Sequence, residues 1–269
     1  QKRRELESFT VLDVRDAEHK AELLKEADAA MARVKLGCDL LVGVRLMGLK
    51  PAEQETMLSH LLWDYVAGLP MDTPDAQRAL HAARKERAFH WPFEFPEVFE
   101  KKGFSSIVGN PPFMGGRKIR ESLGDNYREV LYNVYKDSSG NADYCAFFFL
   151  KGSILLTSPG TLGLIATNSI AQGDTRQTGF DRILLSNSAC IYRANTNQNW
   201  PGMAAVTVNI VHMAIGIPRL PRVLNDISVS FISNLLDTQK VNGDPQLLKN
   251  NQEKSFQGTV VVGSGFILE

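Results

Sequence analysis

The sequence lacks an excess of either charge. Its 269 residues include 30 Lys plus Arg and 30 Asp plus Glu, so the formal net charge at pH 7 is zero. A chain without a global positive field is not drawn onto nucleic acid by long-range attraction. Contact with nucleic acid therefore requires a local basic surface or a part of the protein outside this chain.

Cysteine is scarce, and no metal-binding spacing is present. Cys38, Cys145 and Cys190 lie far apart, without a CxxC pair or a histidine in register. We expect them to be buried thiols in a reducing cytoplasm. The five histidines include no HExxH pattern, so no metal site is predicted.

Long apolar runs are also missing. The most apolar N-terminal stretch, CDLLVGVRLMGL, is interrupted by Asp39 and Arg45 and is too short to span a bilayer. The first residues, QKRRELESFTVLDVRD, lack the apolar core of a signal peptide. We therefore expect a cytoplasmic protein without a membrane partner.

A helical pattern covers the first part of the chain. Residues 17–49 and 75–89 mix good helix formers with apolar residues at spacings of three and four. Between them, Pro51 stands where the first turn of another helix is expected. A helical segment is therefore predicted over residues 1–90.

The pattern changes near residue 90. The stretch FHWPFEFPEVF holds two prolines and five aromatic residues and is predicted to pack irregularly against a core. Strand candidates then alternate with helix candidates, which predicts a parallel-rich α/β domain over residues 91–217. In chain order the candidates are FSSIVGN, ADYCAFFFLKGSILL, TLGLIATNS, TGFDRILLSN, ACIYRA and MAAVTVNIVHMAI. The turn-rich residues 218–269 are predicted to be a linker into a further region.

Four residues behind the first predicted strand carry the chemistry. Proline cannot donate to a sheet ladder, so the strand ends before Pro111, and Asn110 is held extended at the strand end, where parallel sheets place ligand sites. The Asn110 amide oxygen and the Pro111 carbonyl can accept hydrogen bonds from both N–H groups of a flat amine. Pro112 fixes the backbone, and Phe113 offers a face for a base ring. The plainer alternative is a strand-ending turn with a packed phenylalanine.

In these residues the sequence resembles the amino-group DNA methyltransferases that make N6-methyladenine with S-adenosylmethionine. NPPF after FSSIVG looks like their catalytic motif. Further segments follow the order found in large methyltransferases of type IIG/IIL restriction-modification and related phage-defence systems: FHWPFEFPEVF, GNPPFMGGRKI, ADYCAFFFL, GTLGLIATNSIAQGDTR and SFQGTVVVGSGF. The resemblance covers about residues 86–269.

The resemblance implies a fold, a cofactor and a partner. The fold is α/β, a partial Rossmann-like class I methyltransferase sheet preceded by a helical segment. Residues 1–90 then correspond to an insertion ahead of the catalytic strand, residues 91–217 to the catalytic part, and residues 218–269 to a linker and the start of a target-recognition region. S-adenosylmethionine is the implied cofactor, and double-stranded DNA, bound through the parent protein, is the implied partner.

The resemblance also suggests roles for single residues. Phe147 maps onto an aromatic position that lines the cofactor adenine, and Trp200 onto a second aromatic that sandwiches a flipped base against Phe113. The alternatives are helix core for Phe147 and a packed turn for Trp200. Asp143 is expected to cap a helix, with a cofactor contact as its second interpretation.

Basic residues near the motif are candidate contacts to the DNA backbone. Arg117 and Lys118 follow the motif, and Arg176 lies in the polar stretch QGDTR. Isolated basic residues are more often solvated surface, which is the alternative for all three.

Two features of such a methyltransferase are not found ahead of the motif. These are a glycine-rich strand-to-helix turn for the methionine part of the cofactor and an acidic residue for its ribose. We therefore expect a middle piece of a longer enzyme that binds cofactor weakly or not at all when isolated. Adenine methylation in DNA is the leading hypothesis. Methylation of a protein glutamine and a non-catalytic scaffold or partner-binding module stay open as alternatives.

Overall fold

The first part of the chain folds into packed helices. The computed structural model describes residues 5–6, 8–185, 188–200, 206–217 and 220–239. Helices α1 (Val14–Leu46), α2 (Pro51–Val66) and α3 (Pro74–Lys85) lie in this part of the chain. Proline occupies the first turn of α2 and α3, where its missing N–H costs nothing. The described part of residues 1–90 is thus mainly helical, and the bounds of the predicted segment stay a prediction.

Helices α1 and α3 approach each other closely at Gly43. A Cβ atom on Gly43 would lie 1.9 Å from the Ala79 carbonyl oxygen. Leu40, Val44 and Leu80 are buried around this contact. The helices can pack at this distance only because residue 43 has no side chain.

The aromatic segment after α3 is more regular than predicted. It forms the short helices α4 (Trp91–Glu94) and α5 (Pro96–Glu100), because each begins with a proline in its first turn. The rings of Trp91, Phe95 and Phe99 meet Phe104 edge-on, with centroids 5.7, 5.4 and 6.0 Å away. Two polar contacts connect the segment to α1, namely His90 Nε2 to Asp39 Oδ1 at 2.8 Å and Lys35 Nζ to Glu94 Oε1 at 2.7 Å.

Among the described residues, six strands form one sheet in the order β1-β2-β4-β3-β5-β6. They are β1 (Phe104–Gly109), β2 (Leu156–Thr167), β3 (Ala189–Asn199), β4 (Thr207–Ile215), β5 (Arg222–Leu224) and β6 (Ile227–Val229). The pairs β1/β2 and β3/β5 are parallel, whereas β2/β4, β4/β3 and β5/β6 are antiparallel. The α/β class is confirmed, but the sheet is mixed rather than parallel-rich. Strands β3 and β4 follow each other after a short connection, which favours an antiparallel pair.

Further helices lie in the same part of the chain as this sheet. They are α6 (Gly116–Val134), α7 (Tyr144–Leu155), α8 (Gly173–Arg176) and α9 (Arg182–Leu184), with a 3-10 turn at Asn168–Ala171 and a π turn at Gln177–Asp181. Phe149 of α7 meets Phe180 edge-on at 5.2 Å in the centre of the core. Helix α6 was not predicted, and the helix predicted at TGFDRILLSN is divided between the π turn and α9.

The predicted linker begins with structure of its own. Strands β5 and β6 form a hairpin that extends the sheet beside β3. The remainder from residue 240, including SFQGTVVVGSGF, lies outside the described residues. The domain boundaries at residues 90 and 217 stay predictions.

Candidate functional site

The strand ends that carry the predicted site lie at one edge of the sheet. Strand β1 runs parallel to β2, with Gly109 beside Leu164. Strand β4 runs antiparallel to both β2 and β3, so its first residues lie beside the last residues of those strands. The carboxyl ends of β1, β2 and β3 therefore share an edge, which is where open α/β sheets bind ligands.

The tetrapeptide Asn110–Phe113 follows β1 directly, as the sequence predicted. Asn110 is exposed, Pro111 is buried and Phe113 is half-buried. The loop is held to the start of α7, because the Tyr144 N–H donates to the Met114 carbonyl at 2.8 Å. The Asn110 amide is thus accessible on a loop that is anchored on both sides.

Phe113 and Trp200 meet at this edge although they are distant in sequence. Their ring centroids are 5.7 Å apart, and the ring planes are nearly perpendicular at 87°. The Trp200 N–H donates to the Val206 carbonyl at 3.0 Å, which continues the pairing of β3 with β4 by one residue. The structure therefore brings together the two aromatic residues that the resemblance assigns to the substrate base.

A cavity of about 610 Å³ lies beside the tetrapeptide. Asn110, Pro111 and Pro112 form part of its wall, and Phe147, which is 2% exposed, forms another part. The other aromatic lining residues are Phe89, Trp91, Tyr127, Tyr135, Tyr144 and Phe148. Lys151 adds a charged side chain to this largely apolar wall. Such a size and lining are typical of small-molecule sites, which span about 300–1,000 Å³.

Two tyrosines of the wall, Tyr135 and Tyr144, stay uncharged at neutral pH. The hydroxyl groups of Tyr127 and Tyr144 lie 2.5 Å apart and share a hydrogen bond. Burial, followed by this hydrogen bond, raises the pKa of Tyr144 far above its usual range. Burial also raises the pKa of Tyr135 to about 12, and the neighbouring Tyr127 adds to the increase. The Tyr135 and Tyr144 hydroxyl groups therefore remain hydrogen-bond donors and acceptors at neutral pH.

Asp143 acts as a helix cap. Its side chain accepts a hydrogen bond from the Cys145 N–H at 3.0 Å, at the first turn of α7. It also accepts from the Thr167 hydroxyl at 3.2 Å. Asp143 is not among the residues that line the cavity. These contacts correspond to the capping interpretation, and the cofactor contact stays a prediction.

The three basic candidates differ in position. Arg117 and Lys118 are exposed in the first turn of α6, close to the tetrapeptide. Arg176 is only 5% exposed, and its Nε lies 3.2 Å from Asp181 Oδ2. Arg176 is therefore not displayed on the surface as Arg117 and Lys118 are, and its contact to the DNA backbone stays a prediction. The surface position expected for Arg176 is thus corrected, because its short helix turns the side chain inward.

The sequence did not reveal part of the cavity wall. Tyr127, Leu131 and Tyr135 line the cavity; Tyr127 and Leu131 are four residues apart on one face of α6, and Tyr135 directly follows the helix. The spacing of these residues could have indicated a shared helix face from the sequence, but no helix was predicted there. Phe89 and Trp91 belong to the segment that was predicted to pack against a core, and both also line the cavity.

Neither a metal cluster nor a membrane span is present in the described part of the chain. Over those ranges, no group of three or more His, Cys, Asp or Glu residues could hold a metal ion. No helix in the same ranges is long and apolar enough to cross a membrane.

The sequence matches one family of known proteins. Residues 53–197, more than half of the chain, match the family described as Eco57I restriction-modification methylase. No curated protein matches the sequence.

Two solved structures contain a chain that resembles part of this one. The type IIL restriction-modification enzyme MmeI, in complex with DNA, is 23% identical with a TM-score of 0.46, over 55% of this chain and 21% of that chain. A type I modification subunit from Vibrio vulnificus YJ016 is 17% identical with a TM-score of 0.34, over 46% of this chain and 25% of that chain. The chain thus spans a quarter or less of the length of these proteins.

Proposed function

The chain belongs to the Eco57I restriction-modification methylase family, and from this premise we propose that it carries the catalytic residues for S-adenosylmethionine-dependent methylation of adenine N6 in DNA. The observation that carries the proposal is the position of the tetrapeptide. An exposed Asn110 stands at the carboxyl edge of the sheet, between an aromatic pair and an aromatic cavity.

Asn110 and Pro111 orient the amine in this proposal. The exocyclic amine of adenine is a poor nucleophile, because its lone pair is delocalised into the ring. Hydrogen bonds from its two N–H groups to the Asn110 amide oxygen and the Pro111 carbonyl favour a pyramidal nitrogen with an available lone pair. The buried Pro111 ring and the neighbouring Pro112 hold these acceptors in place, so little reorganisation is needed when the amine arrives.

Phe113 and Trp200 hold the base. An adenine that reacts at N6 must leave the DNA stack, which costs a few kcal/mol. Stacking on an aromatic side chain returns about 1–3 kcal/mol per base. We propose that the base enters between the two rings, which turn from their edge-on arrangement to lie against its faces.

The aromatic pair favours a base over a protein side chain. The amide of a glutamine fits the same two acceptors, but it has no ring to stack between Phe113 and Trp200. Methylation of glutamine therefore explains the tetrapeptide and leaves the aromatic pair without a role. The pair is the reason to prefer DNA as the substrate.

The cavity fits the adenine part of S-adenosylmethionine. Phe147 and the tyrosines supply aromatic surface, and the Tyr127 and Tyr144 hydroxyl groups supply polar partners for a purine edge. When bound, the cofactor supplies an electrophilic methyl group on a sulfonium. The described residues ahead of β1 form helices, and a glycine-rich strand-to-helix turn for the methionine part is not among them. We propose that this chain holds the adenine side and that other parts of the full-length protein hold the rest.

Arg117 and Lys118 are proposed contacts to the DNA backbone. Both are exposed in the first turn of α6, a few residues after Phe113. Such contacts fix the duplex near the site without reading its sequence. Replacing either side chain with alanine should weaken binding across all DNA sequences and reduce the salt dependence of that binding.

Titration of S-adenosylmethionine, followed by methyl transfer to adenine-containing DNA, tests the proposal. We expect binding and N6-methyladenine formation by the full-length product of the gene, and weak or absent binding by the 269-residue chain alone. Asn110→Ala should lower the rate by about 100-fold or more with unchanged cofactor affinity, because it removes an acceptor that acts in the transition state.

Phe113→Leu distinguishes an adenine in DNA from a glutamine side chain as the substrate. It should lower the rate on DNA by about 10-fold or more, because it removes a stacking surface. A glutamine substrate would be affected much less. If the full-length protein binds no cofactor, a scaffold or partner-binding role replaces the proposed function.

A further inference from the structure

The end of β3 contains a bulge just before Trp200. Asn195 pairs with Ile210, and the next pair is Gln198 with Val208. Thr196 and Asn197 therefore stand opposite Asn209 alone. Asn197 has a φ of +55°, in the left-handed region that asparagine tolerates better than most residues.

The bulge decides which way Trp200 faces. Side chains alternate between the two faces of a sheet, so one extra residue moves every later side chain to the opposite face. Regular pairing resumes at Gln198 and Asn199, and Trp200 follows. Without the bulge, Trp200 would point away from the face on which it meets Phe113.

Two asparagine side chains accept hydrogen bonds from the backbone N–H groups of the bulge. Asn209 Oδ1 accepts from the Asn197 N–H at 2.9 Å. On the other side of β3, Asn225 Oδ1 accepts from the Thr196 N–H at 2.8 Å, and Asn225 Nδ2 lies 3.0 Å from the Thr196 hydroxyl. Both backbone N–H groups of the bulge are thereby satisfied by amide oxygens from neighbouring strands or turns.

Asn209 is unusual for its place in the sheet. It is 3% exposed and is the third residue of β4, where Val208 and Val211 are also buried. A β-branched apolar residue suits such a position, and a buried amide is costly unless it is hydrogen-bonded. The hydrogen bond that Asn209 accepts from the Asn197 N–H explains why an asparagine occupies this buried position.

Asn225 connects the same bulge to the β5–β6 hairpin. Its own N–H donates to the Ala194 carbonyl at 2.9 Å, and the adjacent Asp226 Oδ1 lies 2.9 Å from Arg193 Nη2. Asn225 and Asp226 form the hairpin turn with φ angles of +49° and +63°, as in the turns that favour two-residue hairpins. The hairpin is thus fixed to β3 at the bulge.

From these contacts we infer that Asn209 and Asn225 are positioning residues that hold Trp200 against Phe113. They touch neither substrate nor cofactor and act through the backbone of β3. Their effect on the base rests on the proposed function, whereas their effect on Trp200 does not.

Fluorine NMR of the protein labelled with 5-fluorotryptophan tests the positioning without DNA or cofactor. Trp200→Phe identifies the Trp200 resonance, and Phe113→Leu gives the change in its shift when the facing ring is removed. Asn209→Leu should shift the Trp200 resonance by at least as much as Phe113→Leu does. Asn209→Asp keeps an acceptor oxygen and should leave it close to its original position.

Controls separate this effect from general loss of stability. Thr161→Val removes a hydrogen bond to Ser106 at the opposite end of the sheet, where the hydroxyl oxygens lie 2.8 Å apart, and should leave the Trp200 resonance unchanged. If Asn209→Leu does not fold, Asn225→Ala tests the second contact in an exposed turn. An unchanged Trp200 resonance in both Asn209→Leu and Asn225→Ala would overturn the inference.

A second measurement tests the link to the base. In the full-length protein, Asn209→Leu should lower the fluorescence increase of 2-aminopurine at the target adenine by about tenfold, with unchanged S-adenosylmethionine affinity. A shifted Trp200 resonance with an unchanged 2-aminopurine signal would support the positioning and count against the role of Trp200 in the proposed function. A failure of the positioning inference can therefore be distinguished from a failure of the proposed function.

Discussion

Tyr135 lies at the end of α6 and lines the cavity with an uncharged hydroxyl group. Burial raises its pKa from the usual value near 10 to about 12, so folding favours the protonated form. The resulting stabilisation is fully present below pH 10 and is lost as the pH rises from about 10 to 12. The free energy of unfolding should fall with pH over that window.

Urea denaturation at several alkaline pH values, for the unaltered chain and for Tyr135→Phe, measures this effect. The substitution should reduce the slope of the unfolding free energy between pH 10 and 12, because the group that titrates is gone. An ultraviolet absorbance titration should show one tyrosine fewer ionising near pH 12. Equal slopes in the two proteins would contradict the raised pKa of the Tyr135 hydroxyl group.

Single residues could be predicted where local backbone rules decide their place. Proline rules alone placed Asn110 and Phe113 directly after a strand. Arg176 could not be placed in this way, because its ion pair with Asp181 depends on the π turn between them. Trp200 was found through the resemblance alone, since the bulge that orients it leaves no simple pattern in β3.

At the scale of elements, Gly43 sets the distance between α1 and α3. The neighbour of an added Cβ at Gly43 is the backbone of Ala79, which cannot move without displacing α3. Gly43→Ala should therefore lower the free energy of unfolding by about 1–3 kcal/mol, a typical cost of overpacking. This loss should appear although alanine favours helix by about 1 kcal/mol relative to glycine.

Gly37 on the same helix provides the matched control. A Cβ there would meet the ring end of Tyr65 at 3.0 Å, and a side chain can shift where a backbone cannot. Gly37→Ala should change the free energy of unfolding by less than about 1 kcal/mol. Urea midpoints of both variants measure the difference, and equal values would contradict the backbone contact.

Elements with a continuous pattern were predictable, and interrupted ones were not. Helices α1, α2 and α3 follow from their spacing and from their prolines. Helix α6 contains Gly124 at a φ of +83°, so its apolar face is interrupted halfway. The β5–β6 hairpin has strands of three residues each, too short for a recognisable alternation.

At the scale of the molecule, β1 is an edge strand among the strands that the structure describes. It pairs with β2 on one side, and Val108 in this strand is 85% exposed. Unpaired edges accept strands from other chains. The isolated chain should therefore self-associate as its concentration rises, and Val108→Lys should reduce this association.

Sedimentation velocity over a range of concentrations measures the association. The opposite edge offers a control in Ile227→Lys, since Ile227 is 67% exposed in β6. Strand β6 spans only Ile227–Val229, so this second substitution should have the smaller effect. If Val108→Lys associates as strongly as the unaltered chain, the β1 edge is not the contact.

The overall class was predictable, whereas the pairing directions were not. Alternation of strand and helix patterns indicates an α/β fold, and in this chain it predicted the class correctly. The direction of β4 depends on its position between β2 and β3, which is a tertiary property. A short, continuously apolar run fits a buried strand of a parallel sheet and of a sandwich core alike, so it does not give the direction.

Phe89 and Trp91 stand on opposite sides of the predicted boundary at residue 90, yet both line the cavity beside Asn110. A chimera of two related methylases with its crossover at residue 90 would combine one ring from each parent in a single wall. A crossover between Lys85 and Phe89 would inherit both rings from the same parent. The exchangeable unit of this protein therefore begins before its aromatic segment.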